Sequence, residues 1–258
     1  MLNSQVKATI AAVSIVSTLM TSACATANKP NTAYTIADPI EPLNRGIFKF
    51  NDVVDKIIIE PIAKAYKAVV PNAARSSVQS FMRNLKTPLT LANNLLQGDM
   101  NGAGVTTARF LVNTTLGVGG LFDIAEKQGY SYKEEDFGQT LATWGVGDGF
   151  YLVLPILGPS SLRDTAGLVT DTIADPVRIA AHNHDEDWIY YTRNIIQGVD
   201  NRARLIDGID DLRKNSLDYY AAMRSAYGQR RQSLIYNENP DSKAEAAQTN
   251  YEDFEDSK

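Results

Sequence analysis

The chain has 258 residues, 25 basic against 30 acidic side chains, a net charge of −5 and 44% apolar residues, which suits one large folded domain or two small ones rather than a disordered chain. Its pI near 5.1 argues against a nucleic-acid binder, because neutralising phosphates demands a basic face. One cysteine and two histidines exclude an internal disulfide and any multi-cysteine zinc or iron–sulfur centre, and leave little room for imidazole chemistry.

Residues 1–27 read MLNSQVKATIAAVSIVSTLMTSACATA. Lys7 precedes a mostly apolar, small-residue run from Ala8 to Met20, and small residues follow. That is the order of a bacterial secretory signal peptide, and the run falls short of the ~20 apolar residues that span a bilayer. Cys24, the only cysteine, follows Thr21-Ser22-Ala23, which resembles a lipoprotein lipobox. Thr21 stands where such a box usually carries an aliphatic residue, and the alternative is ordinary cleavage at Ala23-Cys24-Ala25 or Ala25-Thr26-Ala27. The expected boundaries are a signal peptide over 1–23, a lipid anchor at Cys24 and a Pro-containing tether over 24–37. Both routes export the protein, and Ala25 after a lipidated cysteine favours the outer membrane.

A helical domain is expected over 38–236. Asp38-Pro39-Ile40-Glu41-Pro42 predicts an extended or turn entry. From Leu43 the period becomes helical, with Ile47, Phe48, Phe50, Val54, Ile57 and Ile58 on one stripe. Thr87-Pro88 predicts an N-cap and first turn for a helix Leu89–Gln97 that stops at Gly98. A further helix is expected from about Gly104 to Leu116, burying Val105, Ala108, Leu111, Val112 and Leu116. Phe150–Leu154 is the one plausible strand. Ser161-x-x-Asp164 predicts a capped helix ending before Asp175-Pro176. Helical spacing from Asp187 to Leu212 predicts one long helix or two collinear ones, and a last helix runs from Leu217 to about Gln232. Residues 237–258 hold seven acids against two lysines, a net of −5, and few aliphatics, the composition of a disordered tail. The fold class is therefore all-α, a single domain of many short amphipathic helices.

Several helices carry aromatic or aliphatic residues beyond a narrow stripe, and Phe150–Leu157 is the most apolar internal run. Each can be ordinary core, yet beside a lipid-anchor signal such segments also suit the plane of a membrane interface. Chemistry-bearing motifs are missing. No P-loop and no GxSxG elbow occur. His182-Asn183-His184-Asp185-Glu186-Asp187 has metal-type residues but adjacent loop ligands alone rarely complete a site, so a solvated loop is expected, with no metal, no cofactor and no enzyme activity.

Asp38–Asn51 (DPIEPLNRGIFKFN) resembles the opening motif of the MlaA (VacJ) lipoproteins. Asn93–Gly98 (NNLLQG), Arg109–Gly117 (RFLVNTTLG) and Asp136–Asp164 (DFGQTLATWGVGDGFYLVLPILGPSSLRD) are similar to further motifs of that family, in the same order and over nearly the whole mature domain. The resemblance implies a ring-shaped helical body around a central pore in the inner leaflet of the outer membrane. It implies a channel beside an outer-membrane porin trimer, taking stray phospholipid from the outer leaflet to a periplasmic carrier and maintaining lipid asymmetry. A structural lipoprotein without transport, and a periplasmic lipid hydrolase, are the alternatives.

The glycines Gly138, Gly145, Gly147 and Gly149 before the apolar FYLVLPIL run suggest a mobile hairpin gate between Phe137 and Leu157, with scaffold packing as the alternative. The opposing element is the Leu43–Ile58 helix, where Asn44, Arg45 and Asn51 are polar groups available to a headgroup. The candidate pore or gate residues are thus Asn44, Arg45, Phe48, Asn51, Phe137, Gly138, Trp144, Gly145, Gly147, Gly149 and Arg163.

Overall fold

A computed structural model describes residues 34–237; the expected signal peptide, the expected anchor at Cys24 and the expected disordered tail from 238 onward lie outside the described residues. The entry turn leads into α1 (Glu41–Val54), a π-helical turn (Asp55–Ile59) and α2 (Glu60–Val69) in one continuous rod. The π turn has a local cause. Pro61 has no N–H for the carbonyl four residues back, and the backbone widens just before it, the Glu60 N–H reaching the Asp55 carbonyl.

The next helix departs from expectation. α3 runs unbroken from Asn72 to Gln97 with Pro88 in its interior, so Thr87 is no N-cap: its hydroxyl donates to the Arg83 carbonyl at 3.1 Å. An interior proline costs about 3 kcal/mol, and here buried polar side chains on either side of it offset that cost. Asn84 donates to Thr114 (3.1 Å) and to the Gly119 carbonyl (3.2 Å), and Asn94 donates to Thr106 at 3.0 Å. Gly98, in the left-handed region at φ 76°, ends the helix where expected.

α4 (Met100–Thr115) begins four residues before the expected Gly104, because Asp99 caps it by accepting from the Gly102 N–H at 2.8 Å. Its expected burial holds only in part, Val105, Ala108 and Val112 being half-buried. Ala103, Thr106, Arg109 and Asn113 are buried, whereas Leu111 and Leu116 are 58% and 65% exposed. The reason is ionic: Arg109 is drawn inward to Asp123 (2.7 Å) and Glu126 (2.9 Å), which turns the apolar stripe outward.

After α5 (Ile124–Lys127) and α6 (Phe137–Thr143) comes an antiparallel hairpin, β1 (Tyr151–Leu154) with β2 (Gly158–Ser161), pairing Tyr151 with Ser161 and Val153 with Pro159. β1 matches the expected strand; β2, a Gly-Pro-Ser-Ser stretch, lacks the alternation that would announce one. α7 (Leu162–Ala174) starts from Ser161, whose hydroxyl accepts the Asp164 N–H at 3.1 Å, and stops before Asp175-Pro176. α8 (Pro176–Asn183) follows, then α9 (Asp187–Arg204) and α10 (Ile206–Asn215), divided at Leu205, and α11 (Tyr219–Ile235).

The hairpin is held by α1 rather than by a sheet. Asn44, 1% exposed, donates to the Tyr151 carbonyl at 2.9 Å and accepts the Val153 N–H at 3.0 Å. Two turns on, Asn51 donates to the Leu154 carbonyl at 2.9 Å and accepts the Ile156 N–H at 2.8 Å. Each amide thus completes one end of a strand edge that would otherwise be unpaired. Asn51 also steadies Ile156, a β-branched residue at φ 66°.

Burial in this domain is inverted. Among the described residues 19 polar or charged residues are buried against 11 apolar ones, five of the latter being alanine. Large apolar side chains such as Phe50, Ile57, Trp144, Leu157, Ile173 and Ile195 stand half or more exposed, far beyond the scattered apolar surface of an ordinary soluble domain. No helix among the described residues is long and apolar enough to cross a membrane.

The amide braces make a prediction. Asn44→Ala leaves the Tyr151 carbonyl and Val153 N–H buried without partners and should cost roughly 2–4 kcal/mol, against about 1 kcal/mol for the more exposed Asn51→Ala. Denaturant titration of both variants checks the order; equal losses would mean that burial does not govern these bonds.

Candidate functional site

Two adjoining cavities lie inside the inverted domain. One of about 470 Å³ is bounded by α3, α7, α9, α11 and the hairpin, and one of about 260 Å³ by α3, α9, Arg230 of α11 and the irregular stretch 132–134; Met82, Lys86 and Gln197 line both.

Helix-start chemistry places the carboxylates of the larger cavity. Asp136 is the N-cap of α6, accepting from the Gln139 N–H at 2.9 Å. Asp164 stands in the first turn of α7, and Asp175 caps α8, accepting from the Val177 N–H at 2.9 Å. Negative charge is favoured at these positive helix ends. Cations then arrive from the helices that follow. Arg231 of α11, 11% exposed, reaches Asp136 at 2.7 Å and Asp164 at 2.8 Å, and the Tyr227 hydroxyl also bonds Asp164. Arg193 of α9 makes a two-pronged pair with Asp175, one arm at 3.1 Å, and Lys86 pairs with Glu134 at 3.0 Å.

These pairs fix the protonation of the wall. Burial alone would push the Asp136 carboxyl up, but hydrogen bonds and charge from Arg231 outweigh it and hold the group at about 2. Lys86 holds Glu134 below the usual carboxylate range against the opposing effect of burial. Asp171, also on the wall, goes the other way: burial raises it although it accepts from the Phe137 N–H at 3.0 Å and from Asn93 at 3.3 Å.

None of the eleven residues expected at a pore or gate lines these cavities. Asn44 and Asn51 have their amides taken by the hairpin backbone. Arg45 pairs with Asp218 at 2.6 Å and Glu41 at 2.7 Å over the Tyr220 ring. Phe48 packs on Tyr219 and Tyr220 with ring centroids 5.0 and 5.4 Å away. Phe137 meets Trp144 edge to face at 5.8 Å, and the half-exposed Trp144 donates its indole N–H to the Leu96 carbonyl at 3.0 Å. Arg163 stands behind Asp164, paired at 3.1 Å, and reaches Asp148 at 2.6 Å.

Gly138 abuts the ionic cluster; a Cβ there would sit 2.7 Å from Asp164 Oδ1. Gly145 and Gly149 turn the chain at φ 88° and 70°, and Gly147 lies exposed between them. Moving the hairpin away from α1 requires breaking four hydrogen bonds. The cavity residues themselves, chiefly Asp136, Asp164, Asp175, Arg193 and Arg231, were missed as a site because each is an ordinary cap or an isolated arginine in the sequence.

His182, in the last turn of α8, and His184, just after it, stand at an exposed corner, with His182 Nδ1 3.3 Å from Asp187. Among the described residues no three His, Cys, Asp or Glu side chains gather as a metal site.

Because the folded Asp136 titrates below an unfolded aspartate, its contribution is present above about pH 4 and is lost as the pH falls toward about 2, on the order of 2 kcal/mol. Asp136→Asn should therefore flatten the pH 4 to 2 limb of the stability curve. Arg231→Met, which strips Asp136 of its ion-pair partner and leaves Asp164 to Arg163 and Tyr227, should cost about 3–5 kcal/mol at neutral pH. Chemical denaturation across pH tests both; an unchanged acid limb in Asp136→Asn would assign the acid sensitivity elsewhere.

The model of the MlaA lipoprotein family matches residues 36–234. An Escherichia coli protein named intermembrane phospholipid transport system lipoprotein MlaA is 35% identical over 222 residues, 81% of this chain and 84% of its own. A Haemophilus influenzae protein of the same name is 31% identical over 229 residues, 86% and 88% of the two chains. A Rickettsia prowazekii protein is 39% identical over 211 residues, 81% of this chain and 82% of its own. A solved structure from work on the maintenance of bacterial outer membrane lipid asymmetry superposes with a TM-score of 0.68 at 35% identity, covering 77% of this chain and 99% of its own. The chain belongs to the MlaA lipoprotein family.

Proposed function

We propose that this protein is the outer-membrane component of an intermembrane phospholipid transport system. It takes phospholipid that has strayed into the outer leaflet, passes it through its polar interior to a periplasmic carrier, and so maintains outer-membrane lipid asymmetry. The observation that carries this reading is the inverted burial of an MlaA-family chain: charges line the cavities, and aliphatic and aromatic side chains cover the outside.

The physics is direct. A headgroup entering hydrocarbon leaves an unpaired charge in a medium that cannot solvate it, at a cost of at least a few kcal/mol. Paired carboxylates and guanidiniums along the wall replace the lost water, and the outer apolar surface keeps the domain at the depth of the lipid. Acyl chains on Cys24 add an anchor, since one chain alone gives only marginal attachment. A neighbouring porin trimer and a periplasmic carrier complete the route, and transfer to a tighter-binding carrier gives it direction without nucleotide hydrolysis.

Deleting the gene should raise outer-leaflet phospholipid and detergent sensitivity, and the intact gene should restore both. Unchanged asymmetry would leave a purely structural lipoprotein. Replacing His182 and His184 together should leave clearance intact, whereas its loss would point to hydrolysis. Mass spectrometry should place the mature N-terminus at an acylated Cys24, and an unmodified N-terminus at Ala25 or Asn28 would remove the anchor.

A further inference from the structure

We propose that the smaller cavity is a docking site for the phosphate of a phospholipid headgroup, with the Arg83 guanidinium as its principal donor. The inference rests on the transport reading above and adds where along the route the phosphate is held.

Charge sets this cavity apart. Four cations, Arg83, Lys86, Arg204 and Arg230, face two carboxylates, Glu134 and Asp200. Three of the cations are matched: Lys86 to Glu134 at 3.0 Å, Arg204 to Asp200 at 2.8 Å, and Arg230 to Glu134 at 3.5 Å. Arg83 is not. Half-buried on α3, it is joined to no carboxylate and makes no side-chain hydrogen bond among the described residues; its guanidinium carbon lies 4.4 Å from the centroid of the Tyr132 ring. The other arginines turned inward, Arg109, Arg163, Arg193, Arg202 and Arg231, all carry carboxylate partners.

A guanidinium stacked on a ring keeps its in-plane N–H edge free, and that fork matches a phosphate in two parallel hydrogen bonds. The volume of about 260 Å³ falls below the roughly 300–1,000 Å³ of a drug-sized pocket, enough for a headgroup but not for a whole lipid. The adjoining cavity, partly lined by Leu89, Leu157 and Leu168, can take the glycerol end. An excess of two positive charges favours a headgroup with net negative charge over a zwitterionic one. Free inorganic phosphate shares the chemistry but lacks anything to fill the neighbouring cavity.

The test titrates the full chain in dodecylmaltoside, by calorimetry, with dihexanoylphosphatidylglycerol, dihexanoylphosphatidylethanolamine and inorganic phosphate. The anionic short-chain lipid should bind most tightly and lose affinity with added salt. Arg83→Gln should weaken it about tenfold or more, Arg83→Lys less, and Arg178→Gln, outside the cavity, not at all. Unchanged binding in Arg83→Gln overturns the site, and inorganic phosphate binding as tightly as the lipid overturns the headgroup assignment. If circular dichroism shows Arg83→Gln unfolded, Arg230→Gln carries the test, because its side chain is 64% exposed; about threefold weakening supports the site and no change overturns it. Outer-leaflet clearance by the wild-type protein is measured alongside. Clearance without Arg83-dependent binding removes this site alone, whereas no clearance removes the transport reading.

Discussion

Arg231 is the tie on which the interior depends. It comes from the last described helix and bridges Asp136, at the start of α6, to Asp164, in the first turn of α7. Three helices far apart in sequence thereby meet at one guanidinium, and the fit leaves no slack. A Cβ on Gly138 would touch Asp164 and Arg231, and one on Gly167 would lie 2.7 Å from the Gly138 Cα. Two bare backbones therefore cross where the charges must converge. A buried ion pair is a poor source of net stability but a strong specifier, since removing one partner strands the other.

The same logic recurs at the far side. Arg202 holds Asp55 through two bonds of 2.7 and 2.8 Å, and Arg213 reaches Asp52, Asp55 and Glu60, each at 3.1 Å. These ties fasten the π turn and the start of α2 to α9 and α10. They also decide which face of the rod looks out: with the carboxylates turned inward, Ile57 and Ile58 stand 69% and 53% exposed. Ionic closure inside and apolar exposure outside are thus one constraint seen from two sides.

That constraint explains what the sequence disclosed and what it concealed. Local signals were legible, because capping is a matter of a few neighbouring residues: Ser161 before α7, Asp175-Pro176 at the next boundary and Gly98 after α3 all fall where expected. The face of α4 was misjudged because amphipathic periodicity gives the period of a stripe and not the solvent it meets; Leu111 and Leu116 face out once Arg109 is claimed inside. Thr87-Pro88 looked like a helix start because the partners that carry α3 through the proline, Thr114 and Thr106, lie on another helix. Asn44 and Asn51 look alike in the sequence, two polar residues seven apart on one helix face, and only the hairpin opposite gives them their work. The polar cavity was hidden for the same reason, its carboxylates being read one at a time as caps.

For a phospholipid conduit, pairing on the wall matters as much as charge. A wall of unpaired buried cations would hold a phosphate tightly at every step and release it slowly, while an uncharged wall would leave the headgroup at the full cost of desolvation. In the larger cavity Arg231 and Arg193 are already bonded to aspartates, so a passing phosphate exchanges one set of charged partners for another and gains little by stopping. Asp136, held well below the usual carboxylate range by Arg231, keeps its charge in mild acid, so the exchange does not lapse there. Arg83, without a carboxylate of its own, is the place along this path where a phosphate gains a partner instead of swapping one. A single binding step flanked by neutral exchange allows a lipid to enter against no large barrier and still leave for a carrier that binds it more tightly.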